Sequence, residues 1–272
     1  MLARVIARGY TFSEVNAMNS QEAINMPIQP NSDAGLLKAA AMITMLIDHV
    51  GAIFFPGLIE LRVIGRIAFP IFCWGVAAGS VHTKSIPKYA LRLLIGGLIA
   101  QPFYMLALDH TIREWNVMAT LLLGLLAIAG IQQKKWFSHI WAPIICLGLA
   151  AMQQMDYGWR GVLLIILMYL ARDSRGALAA LMVSFCLYWG AGSSEVTRLF
   201  GMQIKPQLEL GSPFYPVISM VFSMVRLQAL AILSLPFMYF HTNTGIRVPK
   251  WLGYSMYPGH LLILWLIKLA VG

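Results

Sequence analysis

Charged residues are scarce in this chain: Asp, Glu, Lys and Arg together make up only 11% of its 272 residues. Soluble domains carry about 25% charged residues, so the composition excludes an ordinary soluble globular protein. Hydrophobic residues reach 59%, which also excludes a disordered chain. Composition and length together predict one domain embedded in a lipid bilayer.

Cysteine is also rare, and the common motifs for metal and phosphate binding are missing from the sequence. The three cysteines, Cys73, Cys146 and Cys186, lie in apolar runs and form neither a CxxC pair nor a zinc-binding spacing. No Gly-rich phosphate loop, G-x-S-x-G or H-E-x-x-H is present. We therefore predict buried cysteines and no bound metal.

The chain does contain a series of apolar runs, most of them close to the roughly 20 residues that a membrane-crossing helix needs. They predict an all-α fold, a polytopic membrane helix bundle of about nine transmembrane helices. Residues 1–35 form a polar N-terminal tail, and residues 36–272 form the membrane domain. The predicted spans are approximately 36–55, 62–81, 89–108, 116–131, 136–152, 157–171, 176–191, 217–240 and 251–270.

The net charge of +9 predicts the orientation of these spans. In a soluble protein it would suggest nucleic acid, but here it fits the basic cytoplasmic loops of a membrane protein. With the N-terminus inside, twelve Lys and Arg residues fall on the inner side and six on the outer side. The tail is therefore predicted to be cytoplasmic, and no nucleic-acid partner is expected.

Four ionisable residues inside the predicted first, second and ninth spans are candidate catalytic residues, because a charge at mid-bilayer costs roughly 2.5–3.5 kcal/mol. Asp48 and His49 are in the first span, Arg66 in the second and His260 in the ninth. Asp48 and Arg66 have similar depth, which favours an ion pair that either serves chemistry or only locks two helices. His260 follows Pro258, and the alternative for it is a core histidine bonded to a backbone carbonyl.

A second group of polar residues lies in the outer half of the predicted membrane domain. Each is individually typical of a helix end, and Asn116 could simply cap its helix. Together they predict a polar cavity that opens outward and binds a substrate. The group is Gln101, Asn116, Asp156 and Tyr157, with Arg226 nearer mid-depth in the eighth span.

A basic cluster, His82, Lys84, Lys88 and Arg92, lies on the predicted inner side. The positive-inside rule explains these residues without further function. A second interpretation is that they bind a phosphate-bearing cofactor that arrives from the cytoplasm.

Several stretches in series resemble the TraX family over about residues 36–270, and the Asp-His pair followed by G-R-x-A-F-P is the most specific of them. The stretches are AMITMLIDHVGAIFFP, LRVIGRIAFPIFCWGVAAGSVHTKSIPKYALRLL, NVMATLLLGLLA, DYGWRGVLLIILMYL and PKWLGYSMYPGHLLILWLI. The resemblance implies a multi-pass protein of the bacterial inner membrane. It also implies N-terminal acetylation of a conjugative pilin, and a distant similarity of residues 36–272 to transmembrane acyltransferases. Those enzymes use cytoplasmic acetyl-CoA, without a metal, to acetylate extracytoplasmic acceptors.

In such acyltransferases a membrane histidine carries the chemistry, and that role falls most naturally on His49. A histidine suits a general base at neutral pH. Asp48 with Arg66 would orient this base or brace the site, and His260 would hold the thioester or take a second proton. Arg66, Asn116 or His260 could donate to the oxyanion. An acetyl-histidine relay is an alternative to direct transfer.

Other functions remain compatible with the same residues. Buried Asp, His and Arg also suit a proton-linked transporter, although no inverted repeat is evident. An acetyltransferase could instead modify a hydroxyl of a cell-envelope glycan. A non-enzymatic pilus-assembly scaffold would need larger soluble surfaces than these loops provide.

Overall fold

The structure is a computed structural model, and it describes Asn31, residues 33–203 and residues 225–271. Most of the predicted N-terminal tail, residues 1–30, lies outside the described residues. The described chain is mostly helical, in agreement with the predicted fold class. Its α-helices are α1 (Ala34–Phe54), α2 (Ile59–Gly65), α3 (Ala68–His82), α4 (Ile86–Leu108), α5 (Val117–Gln133), α6 (Ser138–Met152), α7 (Gly158–Leu170), α8 (Arg175–Gly190), α9 (Leu235–Tyr239) and α10 (Lys250–Val271).

Short strands and 3-10 turns complete the described fold. Strand β1 (Glu114–Trp115) pairs in parallel with β2 (Gln154–Met155), with Glu114 opposite Gln154. Strand β3 (Arg198–Leu199) pairs antiparallel with β4 (Met202–Gln203). Two 3-10 helices cover Lys135–Phe137 and Ala229–Ser234.

Five helical segments of the described chain are long and apolar enough to cross a membrane, which makes this a membrane protein by length and composition. They are Ala34–Phe54, Ile59–His82, Ile86–Leu108, Lys135–Met152 and Trp251–Val271. Shorter apolar helices cover Val117–Gln133, Gly158–Leu170, Arg175–Gly190 and Ala229–Tyr239. The first seven predicted spans and the ninth therefore coincide with helices, and the second is broken between α2 and α3.

The predicted eighth span, residues 217–240, differs from the structure in its described part. Residues 217–224 lie outside the described residues. Arg226 is not helical, because the chain around it pairs with the 194–196 segment: Leu227 N donates to Ser194 O at 3.0 Å, and Val196 N donates to Val225 O at 3.0 Å. A 3-10 turn and the short helix α9 follow, so the polar backbone near Arg226 is satisfied by a neighbouring segment and not by a continuous helix.

The bundle has two chemically different ends. At one end α4 connects to α5 and α6 connects to α7, and the β1–β2 pair joins the two connections. Lys268, near the end of α10, forms a 2.6 Å salt bridge with Asp109 there. We call this the site end. The opposite end carries Lys84, Lys88, Lys134, Lys135, Arg172 and Arg175, and we call it the basic end.

Close helix packing holds the bundle together where small residues face large ones. Gly124 of α5 lies directly against Ile165 of α7, and Gly161 of α7 lies against Phe69 of α3. Small residues at such contacts let helix backbones approach, which is the main source of helix association in a membrane. At the basic end Asp33 caps α1, since its Oδ1 accepts from Leu36 N at 3.0 Å.

Candidate active site

A polar cavity of about 340 Å³ lies at the site end, among α1, α2, α4, α10 and the connection before α7. The apolar part of its wall is small and comes from Ala52, Ile53, Ala107 and Leu108. The polar part comes from Asp48, His49, Arg62, Arg66, Tyr104, Asp109, His110, Asp156, Tyr157 and Lys268. Residues from both ends of the sequence therefore meet in one chamber.

Asp48 is held by two arginines of the second span. Its Oδ1 accepts from Arg66 Nη2 at 2.8 Å, and its Oδ2 accepts from Arg62 Nη1 at 2.8 Å. Arg66 also donates to Gln228 Oε1 at 3.2 Å. The ion pair expected between Asp48 and Arg66 is thus present, and the second arginine leaves the group of three with a net positive charge.

The approach of α2 to Asp48 depends on Gly65. A Cβ at this position would overlap the Asp48 carboxyl group, and that carboxyl is fixed by the two arginines. Only glycine fits without a shift of the ion pair. Helix α2 ends at Gly65 and Arg66 is its C-terminal cap residue, so the break between α2 and α3 comes immediately after this glycine.

His49 and His260 form a hydrogen-bonded pair across α1 and α10. The distance from His49 Nδ1 to His260 Nε2 is 2.7 Å, and the rings are nearly parallel, with an interplanar angle of 7°. Both residues are buried, but His49 also lines the polar cavity. Asp48, by contrast, makes no described hydrogen bond to His49.

Neighbouring groups fix the tautomers of this pair. His260 Nδ1 lies 2.7 Å from Met256 O, and a carbonyl only accepts, so His260 carries its proton on Nδ1. The Nε2 of a neutral His260 is then an acceptor, and His49 must donate to it from Nδ1. A neutral His49 therefore keeps the lone pair of its Nε2, which has no hydrogen-bond partner among the described residues.

Asp156 and Tyr157 lie in the connection that precedes α7, and both line the cavity. Tyr157 has a positive φ of 65°, which is uncommon for a residue other than glycine, and its ring stacks on Phe69. Burial raises the pKa of Asp156 to about 6, and Asp48 acts in the same direction, while Arg66 opposes the shift.

Gln101 and Asn116 lie outside the cavity, where they connect α4 to α5. Asn116 caps α5, since its Oδ1 accepts from Met118 N at 3.0 Å. Its Nδ2 donates to Gly97 O and to Gln101 Oε1, both at 2.8 Å. Gln101 in turn donates to Glu114 O at 2.7 Å. Both amides are thus engaged in contacts that hold the start of α5, and neither lines the cavity. Their role in substrate binding stays a prediction.

Arg226 is also absent from the cavity wall. Its guanidinium donates to Ser193 O at 2.7 Å and to Glu195 at 3.2 Å. Both of these contacts come from the loop that contains Ser193 and Glu195. The role of Arg226 in substrate binding stays a prediction.

The predicted cofactor-binding residues lie at or near the basic end, away from the polar cavity. His82, Lys84, Lys88 and Arg92 are all exposed. Arg92 lines a second, largely apolar groove of about 580 Å³ between α4 and α10, where its guanidinium lies 6.0 Å from the ring of Tyr254. The groove reaches Pro258, which lies on the same helix as His260 and two residues before it.

Several cavity residues were missed by the sequence reasoning. One of them is Arg62, whose spacing of four residues from Arg66 places both on one helix face and could have indicated it. The others are Tyr104, Asp109, His110 and Lys268, which line the cavity but belong to no motif in the sequence. Gln228, which binds Arg66, lies within the predicted eighth span, in a part that is not helical in the structure. Among the described residues, no group of three His, Cys, Asp or Glu is arranged to hold a metal ion.

Comparison with known proteins adds two kinds of match. A family model described as TraX protein matches residues 33–268. An uncharacterized protein, RP591, of Rickettsia prowazekii (strain Madrid E) is 32% identical over 146 residues, which cover 52% of this chain and 56% of that protein. A probable fimbrial assembly protein, FimC of serogroup H1, from Dichelobacter nodosus is 37% identical over 106 residues, which cover 34% of this chain and 43% of that protein.

The matched region thus spans about half the length of these curated relatives. No solved structure matches this chain.

Proposed function

This chain belongs to the TraX family, and we propose that it is a membrane-embedded acetyltransferase that moves an acetyl group from cytoplasmic acetyl-CoA to an acceptor across the membrane. The family is associated with pilin acetylation, and one of the relatives is a probable fimbrial assembly protein. We propose the N-terminal amine of a pilin as the acceptor. The proposal includes nine crossings of the bacterial inner membrane, with the N-terminus and the basic end inside. The eighth crossing would include the short segment Ala229–Tyr239 in place of the predicted continuous helix.

One observation carries the proposal: His49 lines a polar cavity with an Nε2 lone pair that no described residue uses, while its Nδ1 is bonded to His260. This is the arrangement of a general base with an orienting partner. In this account His49 Nε2 removes a proton from the acceptor amine. His260 Nε2 accepts a hydrogen bond from the Nδ1–H of the resulting imidazolium, which keeps its proton there, and Met256 O fixes the orientation of His260.

The arginines around Asp48 supply positive charge at the place where negative charge would develop. Arg62 donates only through Nη1 to Asp48, so its remaining N–H groups have no acceptor among the described residues. Arg66 is more fully used. We therefore assign the role of oxyanion donor to Arg62, with Asp48 and Arg66 as the brace that holds it.

Acetyl-CoA fits the chemistry of the basic end. Its phosphates require cations, and His82, Lys84 and Lys88 are exposed there without side-chain partners among the described residues. Arg92 and the apolar groove behind it suit the arm of the molecule. When bound, acetyl-CoA would supply the acetyl group as a thioester, whose sulfur leaves with one proton. The ammonium form of the acceptor loses two protons in all, and the second is released to solvent through His49.

The experiment uses the full-length protein purified in detergent, with radiolabelled acetyl-CoA and a peptide that carries a free amino terminus. We expect label in the wild-type peptide product and none above background with His49→Ala. CoA release without peptide labelling would keep the enzyme class and remove the proposed acceptor. No interaction with acetyl-CoA would contradict the proposal and favour a transporter.

A further inference from the structure

The charges that line the polar cavity are almost all matched by a direct partner. Asp48 pairs with Arg62 and Arg66, each at 2.8 Å. Asp109 pairs with Lys268 at 2.6 Å, and His110 pairs with Glu114 at 3.0 Å. The remaining charged group of the wall is Asp156, whose carboxylate makes no hydrogen bond or salt bridge with any described residue.

The position of Asp156 is fixed by its backbone, so its side chain is left for another partner. Its N–H donates to Trp115 O at 2.9 Å, and its carbonyl accepts from the hydroxyl of Thr120, which is fully buried. The next two residues, Tyr157 and Gly158, both have positive φ, at 65° and 50°. A turn of this kind holds one conformation only when its surroundings determine it, and here it turns a carboxylate toward the cavity.

A carboxylate that is partly removed from water without a direct partner costs free energy. The raised pKa of Asp156 reflects that cost. A cation bound in the cavity would lower the cost, and His49, which must take a proton from the acceptor, lines the same chamber. A hydroxyl acceptor would bring no such charge.

We propose that Asp156 binds the ammonium group of the acceptor, so that the protein selects a primary amine over a sugar hydroxyl. The proposal rests on the proposed function in that the acceptor occupies the cavity that His49 lines. Asp156 is then a specificity-determining residue. It also separates substrate from product, because the acetylated product has lost the charge that Asp156 binds.

The test measures binding without acetyl-CoA, so it does not depend on turnover. Trialanine amide and N-acetyl-trialanine amide are titrated into the full-length purified protein. We expect the wild type to bind the free-amine peptide about tenfold more tightly than the acetylated one, as a charge-assisted hydrogen bond requires. Asp156→Asn should reduce that ratio to about one, while Asp156→Glu, which keeps the charge, should preserve most of it.

Asp173→Asn serves as the matched control, because Asp173 is an exposed carboxylate at the basic end that pairs with Arg172. It should leave the ratio unchanged. Equal affinity of the wild type for the two peptides, no binding of the free-amine peptide, or an unchanged ratio in Asp156→Asn would each overturn the proposal. If Asp156 discriminates the peptides but the wild type transfers no acetyl group, the amine site stands and the acetyltransferase proposal fails.

Discussion

The two ends of the bundle treat charge in opposite ways. At the site end, Asp48 is buried and forms salt bridges with the partly buried Arg62 and Arg66, each at 2.8 Å. At the basic end, Lys84 and Lys88 are exposed and have no side-chain partners among the described residues. Fixed charges are expensive to bury and are typical of a site that needs defined geometry. Free surface cations are typical of a region that attracts an anion.

The comparison predicts that substitutions at the site end affect the chemical step, whereas substitutions at the basic end affect donor affinity. The largest effect is expected for His49→Ala, which removes the proposed base. Acetyl transfer should fall by about 100-fold or more. The measurement is the initial rate of peptide labelling at equal protein concentration. His139→Ala is the control, because His139 is exposed at the basic end. Full activity of His49→Ala would contradict the assignment.

The next largest effect is expected for Gly65→Ala. The added Cβ would push the Asp48 carboxyl away from its arginines, so the brace of the site would be lost together with stability. We expect a loss of about 1–3 kcal/mol in the free energy of unfolding, along with reduced transfer. Gly75→Ala is the matched control, since Gly75 is a helical glycine whose Cβ would meet nothing within 4 Å. Equal behaviour of the two variants would show that the close approach is unimportant.

A smaller effect is expected for His260, which acts through His49. His260→Leu removes the acceptor for the His49 Nδ1 proton, and transfer should fall about tenfold or more. His260→Gln places an amide oxygen near the position of Nε2 and should recover part of the rate. Steady-state kinetics on the two variants, with thermal unfolding as the check on folding, separate orientation of His49 from simple packing. If Gln is no better than Leu, the hydrogen bond is not the function of His260.

At the basic end we expect a change in affinity only. Arg92→Ala should raise the KM for acetyl-CoA by several-fold to about tenfold, because Arg92 lines the groove, and it should leave kcat nearly unchanged. Lys135→Ala, at the same end but on the neighbouring α5–α6 connection, should change neither parameter. A fall in kcat with constant KM would mean that the two ends do not divide the work as proposed.

The smallest effect concerns pH. The pKa of Asp156 is raised to about 6, so its carboxylate is ionised at pH 7 and mostly neutral at pH 5. The preference for a free-amine peptide should therefore be present at pH 7 and fall as the pH drops below 6. Four other ionisable groups act electrostatically on the Asp156 carboxyl group: Asp48, Arg62, Arg66 and His110. Asp156→Asn identifies the group responsible, because its peptide preference should no longer change with pH.

Much of the fold could be predicted from the sequence, because apolar length decides where a membrane helix forms. The prediction of a continuous eighth helix was wrong in its described part. An apolar run does not reveal that the backbone of Arg226 pairs with Glu195, a residue of a loop distant in sequence. The Asp48–Arg66 ion pair could be predicted from equal depth in adjacent spans. The His49–His260 bond joins residues 211 positions apart, and only the order of helices in the bundle brings them together.

For polar residues at helix ends, too, the sequence could not predict which contacts the side chains make. Asn116 and Asp156 have similar sequence contexts, each at the start of an apolar helix. Asn116 uses its side chain to cap α5, whereas Asp156 is held by its backbone and keeps its side chain free. Sequence allowed both interpretations for each residue. The distinction depends on contacts with Gln101 and Thr120, which come from other elements.

The proposal that the donor binds at the basic end and the acceptor at the site end is tested most directly in proteoliposomes. A free-amine peptide is enclosed in the lumen with the reconstituted protein in the membrane, and radiolabelled acetyl-CoA is added outside. We expect label on the enclosed peptide with the wild type and none with His49→Ala. Labelling only when peptide and acetyl-CoA share one side of the membrane would contradict it, because the donor and the acceptor would then use the same end of the protein.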